Sequence, residues 1–207
     1  MQYVIEEFKK LRNLGTGTRG IAFMQSNKSN YLDEENDIRL LSIADIQNAD
    51  ENKEIHKRYC KTSDVEKKNK KNDCYAKKND IIFSLAPRTY SKNIYYNEKE
   101  ADGKMVYNDT IFVFRATDKI ISSDYIYMTL SSVFFSKYIA TRARGRGTIR
   151  NRLNIDEILD ISIPIIAKEQ RELLTKNFYE LKHQQKLMEQ RLNDITTYGN
   201  GLLIETV

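Results

Sequence analysis

Between Pro164 and Gly199 the chain contains neither proline nor glycine, and Leu174, Phe178, Leu181, Met188, Leu192 and Ile195 recur there by alternating steps of four and three, with only Gln185 polar. Apolar residues at that period form a heptad seam along one side of a helix. A helix from about Ala167 to Thr197 would extend roughly 45 Å at 1.5 Å per residue, more than the width of a domain of this size. Part of it is therefore expected to project and to seek a partner. An amphipathic helix lying on its own domain would show the same spacing. Gln185 favours the helix–helix seam, because a polar side chain within a seam sets register and pairing at some cost in stability.

Ahead of the rod, 207 residues leave room for one ordinary core. The expected division is a globular domain over 1–165, a coiled-coil dimerisation helix over 166–198 and a tail over 199–207. Val4, Ile5, Phe8 and Leu11 have helix-like spacing. The run Gly15-Thr16-Gly17-Thr18-Arg19-Gly20 reads as a turn, because it lacks the Lys-Ser/Thr of a phosphate-binding loop and no hydrophobic strand precedes it. Ile38 to Ile43 has strand length and character. From Asn48 to Lys78 the chain is rich in Lys, Asn, Asp and Glu, which reads as a solvated insertion whose lysines (Lys67, Lys68, Lys70, Lys71, Lys77, Lys78) make at most incidental contacts to a polyanion.

Asp80 to Leu85, Ile94 to Tyr96 and Thr110 to Arg115 are strands of one sheet by their β-branched and aromatic content. Ser122 or Ser123 caps a helix carrying Ile126, Leu130, Val133, Phe134 and Tyr138 on one face, and Asn154 caps a short turn before Ile161, Ile163 and Pro164 close the domain. Strands and helices that do not strictly alternate predict an α+β fold with a mixed or antiparallel sheet.

Lys137 to Arg152 contains Arg142, Arg144, Arg146, Arg150 and Arg152 with no acidic residue, and Gly145 and Gly147 keep its backbone supple. Five arginines so close repel one another unless an anion is near. Arginine can hold a phosphate, or the O6/N7 edge of guanine, through two bonds at once. Arg88, Thr89, Tyr90 and Lys92 form a second cluster on a turn just after a strand. Arg142, Arg144, Arg146, Thr148, Arg150 and Arg152, with Arg88, Thr89, Tyr90 and Lys92, are the candidate DNA contacts; the plainer reading pairs both loops with acidic neighbours such as Asp156 and Glu157. The net charge of +5 permits a nucleic-acid partner without requiring one.

Catalysis is not written in these residues. With only Pro87 and Pro164, the Asn/Asp-Pro-Pro-aromatic turn of amino-group methyltransferases cannot occur. Asp64-Val65-Glu66-Lys67-Lys68 and Asp102-Gly103-Lys104 fit a metal-dependent nuclease only as loosely as chance supplies in a sequence rich in these residues. His56 and His183 lack a Ser or Cys partner, Cys60 and Cys74 lack zinc-ligand spacing and read as reduced thiols, and no catalytic residue, metal or cofactor is expected. No apolar run approaches the roughly 20 residues that span a bilayer. No basic-then-apolar leader follows Met1, so a cytoplasmic protein without membrane contact is expected.

Leu40-Leu41-Ser42-Ile43-Ala44-Asp45-Ile46, Asn79-Asp80-Ile81-Ile82-Phe83-Ser84 and Gly145 through Gln170 resemble, in order and spacing, the DNA-specificity subunits of type I restriction-modification systems. The resemblance spans nearly the whole chain. Such subunits look like two target-recognition domains, each followed by a long helix, with the helices packed antiparallel so that each domain reads half of a split site. One domain and one helix then imply a half-subunit that homodimerises along Leu174, Phe178, Leu181, Gln185, Met188, Leu192 and Ile195 and reads a symmetric bipartite site in double-stranded DNA. The resemblance further implies a non-catalytic subunit that recruits a methyltransferase subunit, which carries S-adenosylmethionine, and a translocating restriction subunit. The alternatives are an independent sequence-specific DNA-binding regulator of the same fold, a metal-dependent nuclease and a coiled-coil adaptor.

Overall fold

The computed structural model describes residues 3–22, 38–49, 58–68, 73–85, 93–98, 104–135, 137–138 and 153–204, with backbone alone at 47–49 and 198–204. The chain divides into two compact units, Glu7–Ile165 and Met1–Glu6 with Ile166–Val207.

In the larger unit, β5 (Ile81–Ser84) and β8 (Ile111–Ala116) are the centre of a four-stranded antiparallel sheet ordered β2-β8-β5-β6, with β2 (Gly15–Arg19) and β6 (Ile94–Tyr96) at its edges. Their runs are apolar without alternation because both faces are covered: every residue of β5 and the first four of β8 are buried. Phe83 stands opposite Phe112, with ring centroids 5.8 Å apart. A three-stranded sheet, β4 (Arg58–Cys60), β3 (Ile38–Leu41) and β7 (Met105–Tyr107), is mixed, since β3 runs antiparallel to β4 and parallel to β7. β1 (Ile5–Lys10) and β9 (Ser162–Ile166) make a third sheet. The α+β class with mixed and antiparallel sheets is as the sequence predicts.

Ser42 opens α1 (Ile43–Ala49) with a reciprocal cap. Its amide and hydroxyl donate to the Asp45 carboxylate at 2.8 and 2.5 Å, and the Asp45 amide lies 3.4 Å from the Ser42 hydroxyl. Ser122 and Asn154 begin α3 (Ser123–Leu130) and α4 (Ile155–Leu159), their side-chain oxygens accepting from the amides of Tyr125 and Asp156, as expected.

Four expectations are corrected. Ile5–Lys10 is a strand rather than a helix; Val4, Ile5 and Phe8 are exposed, while Leu11 and Leu14, in and after the following 3-10 turn, are fully buried. Gly15–Arg19 of the glycine run is strand β2, whose glycines serve close approach: a Cβ on Gly17 would stand 2.2 Å from the Phe112 ring, and one on Gly15 2.0 Å from the Arg115 carbonyl oxygen. The supposed insertion contains β4 and α2 (Thr62–Lys68), and Cys60, Val65 and Cys74 pack with Ile21, Ile38, Leu40 and Val106. Cys60, Val65 and Cys74 share that one cluster, with the two thiols serving as small hydrophobes. Finally, α3 buries Ile126 and Leu130, but the turn at Ser131 breaks its register, and Val133 and Phe134 are 70% and 72% exposed.

In the smaller unit, α5 runs unbroken from Lys168 to Ile204, 37 residues and roughly 55 Å at 1.5 Å per residue. It passes through Gly199 and Gly201, beyond the expected end at 198. Arg171, in its first turn, is buried and donates to the Ile166 carbonyl at 2.5 Å. No helix among the described residues is long and apolar enough to cross a membrane.

Candidate nucleic-acid interface

β5 runs through Leu85 into the 86–92 segment, which returns as β6; the Ser84 amide donates to the Asn93 carbonyl at 3.0 Å across its base. The arginine-dense segment re-enters the fold at Leu153, whose amide donates to the Leu85 carbonyl at 3.1 Å. The Leu85 amide in turn donates to Thr110, at the head of β8, at 2.9 Å. One short ladder therefore joins the roots of the two segments at a single end of the four-stranded sheet. Arg88, Thr89, Tyr90, Lys92, Arg142, Arg144, Arg146, Thr148, Arg150 and Arg152 themselves lie outside the described residues.

Beside these roots is a cleft of about 380 Å³ lined by Arg19, Leu85, Asp109, Thr110, Leu153 and Asn154. Arg19 donates through Nε to the Asp109 carbonyl at 3.0 Å, and its guanidinium is 3.7 Å from that residue's carboxylate. Sequence reasoning passed over Arg19 because the glycines around it read as a turn. A single cation within a strand-like run was the available signal.

Two other clusters of charge have structural roles. Arg115 holds the fully buried Asp80 through Nε at 2.6 Å and a second nitrogen at 3.0 Å, and donates to the carbonyls of Asp73 and Tyr75 at 2.7 and 2.5 Å. Burial works against the Arg115 charge, but the hydrogen bond and charge of Asp80 outweigh it and raise the guanidinium above its ordinary value. The Lys77 amide donates to the same carboxylate at 2.8 Å, which ties the approach to β5 to its neighbour β8. Asp160 sits between Lys10 and Arg12 at 3.1 and 3.0 Å, and their hydrogen bonds, Lys10 first, hold its carboxyl below the ordinary range. Arg115, Lys10 and Arg12 are thus committed within the protein.

Burial, reinforced by Asp64, pushes the Cys60 thiol up to about 11, and burial also raises Cys74. Both are protonated at neutral pH and neither is an activated nucleophile; each donates to a backbone carbonyl, Ile38 and Arg19 respectively. Among the described residues no three His, Cys, Asp or Glu side chains converge as a metal site would need.

On α5 the seam residues behave unequally. Leu174 and Phe178 are half-buried, whereas Leu181, Met188, Leu192 and Ile195 are 64–70% exposed. Gln185 is exposed too, its Nε2 donating to Glu189 at 2.8 Å. A stripe of four large apolar side chains facing water is more than isolated surface exposure.

No family model and no curated protein matches the chain by sequence. Solved structures do match its fold. The S subunit of a type I restriction-modification system from M. genitalium superposes with a TM-score of 0.59 at 11% identity, over 92% of this chain and 42% of that one. The HsdS subunit from Thermoanaerobacter tengcongensis gives 0.55 at 13% identity, over 89% and 39%. A chain from a study of complex assembly and conformational transition in the type I R-M system gives 0.57 at 17% identity, over 93% and 47%. The chain thus spans less than half the length of each of these proteins. Its fold is that of part of these S subunits, as the motifs in its sequence imply.

Proposed function

We propose that the protein is a non-catalytic DNA-recognition subunit of a type I restriction-modification complex, acting as a homodimer on a symmetric bipartite site. The observation that carries this reading is the ladder from Leu153 through Leu85 to Thr110. It anchors two arginine-bearing segments at one end of a rigid sheet in a fold shared with S subunits. Rigid anchorage suits recognition, because a side chain discriminates between base edges only if its root is fixed. Phosphate contacts from the arginines supply affinity and register, and base-edge contacts supply specificity. The exposed stripe of α5 joins two copies, so that each recognition domain reads one half-site, with the helices setting the spacing between them.

As such a subunit, it would bring a methyltransferase subunit and a restriction subunit to DNA in the cytoplasm, the chemistry being theirs. Selection of duplexes from a random pool, followed by titration at several salt concentrations, tests this. The expected result is an inverted-repeat sequence bound with a steep salt dependence, together with co-purification of a methyltransferase encoded beside it. Binding that ignores salt, or no preferred sequence, would refute the reading.

A further inference from the structure

The geometry of α5 points to one occupant for its exposed stripe. We infer that a second copy of α5 lies on it antiparallel, in the one register that sets Lys182 against Glu189 of the partner subunit. The inference rests on the homodimer proposed above and specifies how that dimer is built.

In heptad terms Leu174, Leu181, Met188 and Ile195 occupy d, and Phe178, Gln185 and Leu192 occupy a; the next a position is Gly199, still within the helix. The flanking e positions are Thr175, Lys182, Glu189 and Thr196, and the g positions are Asn177, Gln184 and Arg191. Residues at e and g decide partner and orientation in coiled coils. In a parallel pair, g of one helix meets the following e of the other. Gln184 would then face Glu189, Asn177 would face Lys182 and Arg191 would face Thr196, so no opposite charges meet.

Reversing one helix sets a against d, e beside e and g beside g. Three such registers overlap most of the helix; in the one centred on residue 190, Glu189 faces Glu189 of the partner subunit, a like-charge pair. In the first, Phe178 meets the partner's Ile195, Leu181 its Leu192, Gln185 its Met188 and Leu174 its Gly199. On the flank Lys182 meets the partner's Glu189, and two-fold symmetry makes that pair twice.

In the second register, one heptad away, Lys182 faces Lys182 of the partner subunit and Ile195 faces the partner's Arg171. Arg171 is buried and bonded to Ile166 in its own chain, so it cannot serve as a seam residue. The first register is also centred between residues 186 and 187, beside the midpoint of a helix that runs from Lys168 to Ile204. Charge, the commitment of Arg171 within its own chain, and overlap select it. The Glu189 carboxylate already accepts from Gln185 at 2.8 Å, which holds it beside the seam.

The test is a charge-swap cycle on the full chain, read as the dimer dissociation constant by sedimentation. Lys182→Glu alone and Glu189→Lys alone each place like charges across the seam twice and are expected to weaken the dimer about tenfold or more at low salt. The double swap restores it, the difference fades at high salt, and helicity by circular dichroism stays constant throughout. Zero-length carbodiimide coupling should join Lys182 to the partner's Glu189. A dimer indifferent to either reversal and yielding no such crosslink overturns the register alone. A wild-type chain that stays single at micromolar concentration overturns the homodimer beneath it.

Discussion

Replacing Arg115 with methionine would strip the buried Asp80 carboxylate of its guanidinium, leaving it the Lys77 amide at 2.8 Å and the neighbouring Tyr107 hydroxyl. The wild-type carboxylate receives two bonds from the guanidinium, at 2.6 and 3.0 Å, and the Arg115 side chain is itself only 18% exposed. Removing one partner of a buried ion pair costs about 3–5 kcal/mol, because the remaining charge has lost its compensation. Arg115 retains some contact with water, so the lower end applies. In a chain of this length that corresponds to a fall in Tm of about 6–12 °C. Thermal unfolding followed by circular dichroism measures it, and the Asp80→Asn, Arg115→Met double variant provides the control. Because the two groups share one interaction, the double variant should lose less than the sum of the single losses. A single variant melting within about 2 °C of wild type, or strictly additive losses, would refute the assignment of this pair as the clamp between β5 and β8.

Gly17→Ala would drive a Cβ against the Phe112 ring, and chemical denaturation should show a loss of about 1–3 kcal/mol. Cys60, with its thiol raised from 9.0 to about 11, should react slowly with iodoacetamide at pH 8 in the folded protein and rapidly once unfolded. As pH rises through 9 the unfolded chain loses that proton while the folded one keeps it, so the Cys60 contribution to stability should fall between pH 9 and 11, as urea titrations at several pH values would show. Arg144→Ala and Arg146→Ala should each weaken duplex binding and reduce the salt slope by about 1, measured by fluorescence anisotropy.

The elements most legible in the sequence were those set by local chemistry. The unbroken run after Pro164, the caps at Ser122 and Asn154 and the apolar runs of β5 and β8 all match the structure. The misread elements depend on distant neighbours. Gly15 and Gly17 stand in a strand because aromatic rings of β8 press on it, and a glycine does not announce the ring it makes room for. Apart from Val65, Cys60 and Cys74 pack with residues far along the chain, Ile21, Ile38, Leu40 and Val106, so a polar stretch concealed them. At the candidate interface, composition marked the two arginine-bearing segments. Their joining through Leu85 and Leu153 is a contact between the residue after β5 and the approach to α4, and leaves no trace in the sequence.

In the proposed dimer, two copies of this chain grip one DNA duplex through their recognition domains. Sedimentation of the intact protein at micromolar concentration, alone and with a selected palindromic duplex, measures this directly. A particle of twice 24.3 kDa that takes up one duplex per pair of chains is expected. A single chain of 24.3 kDa, unchanged by the duplex, would contradict it.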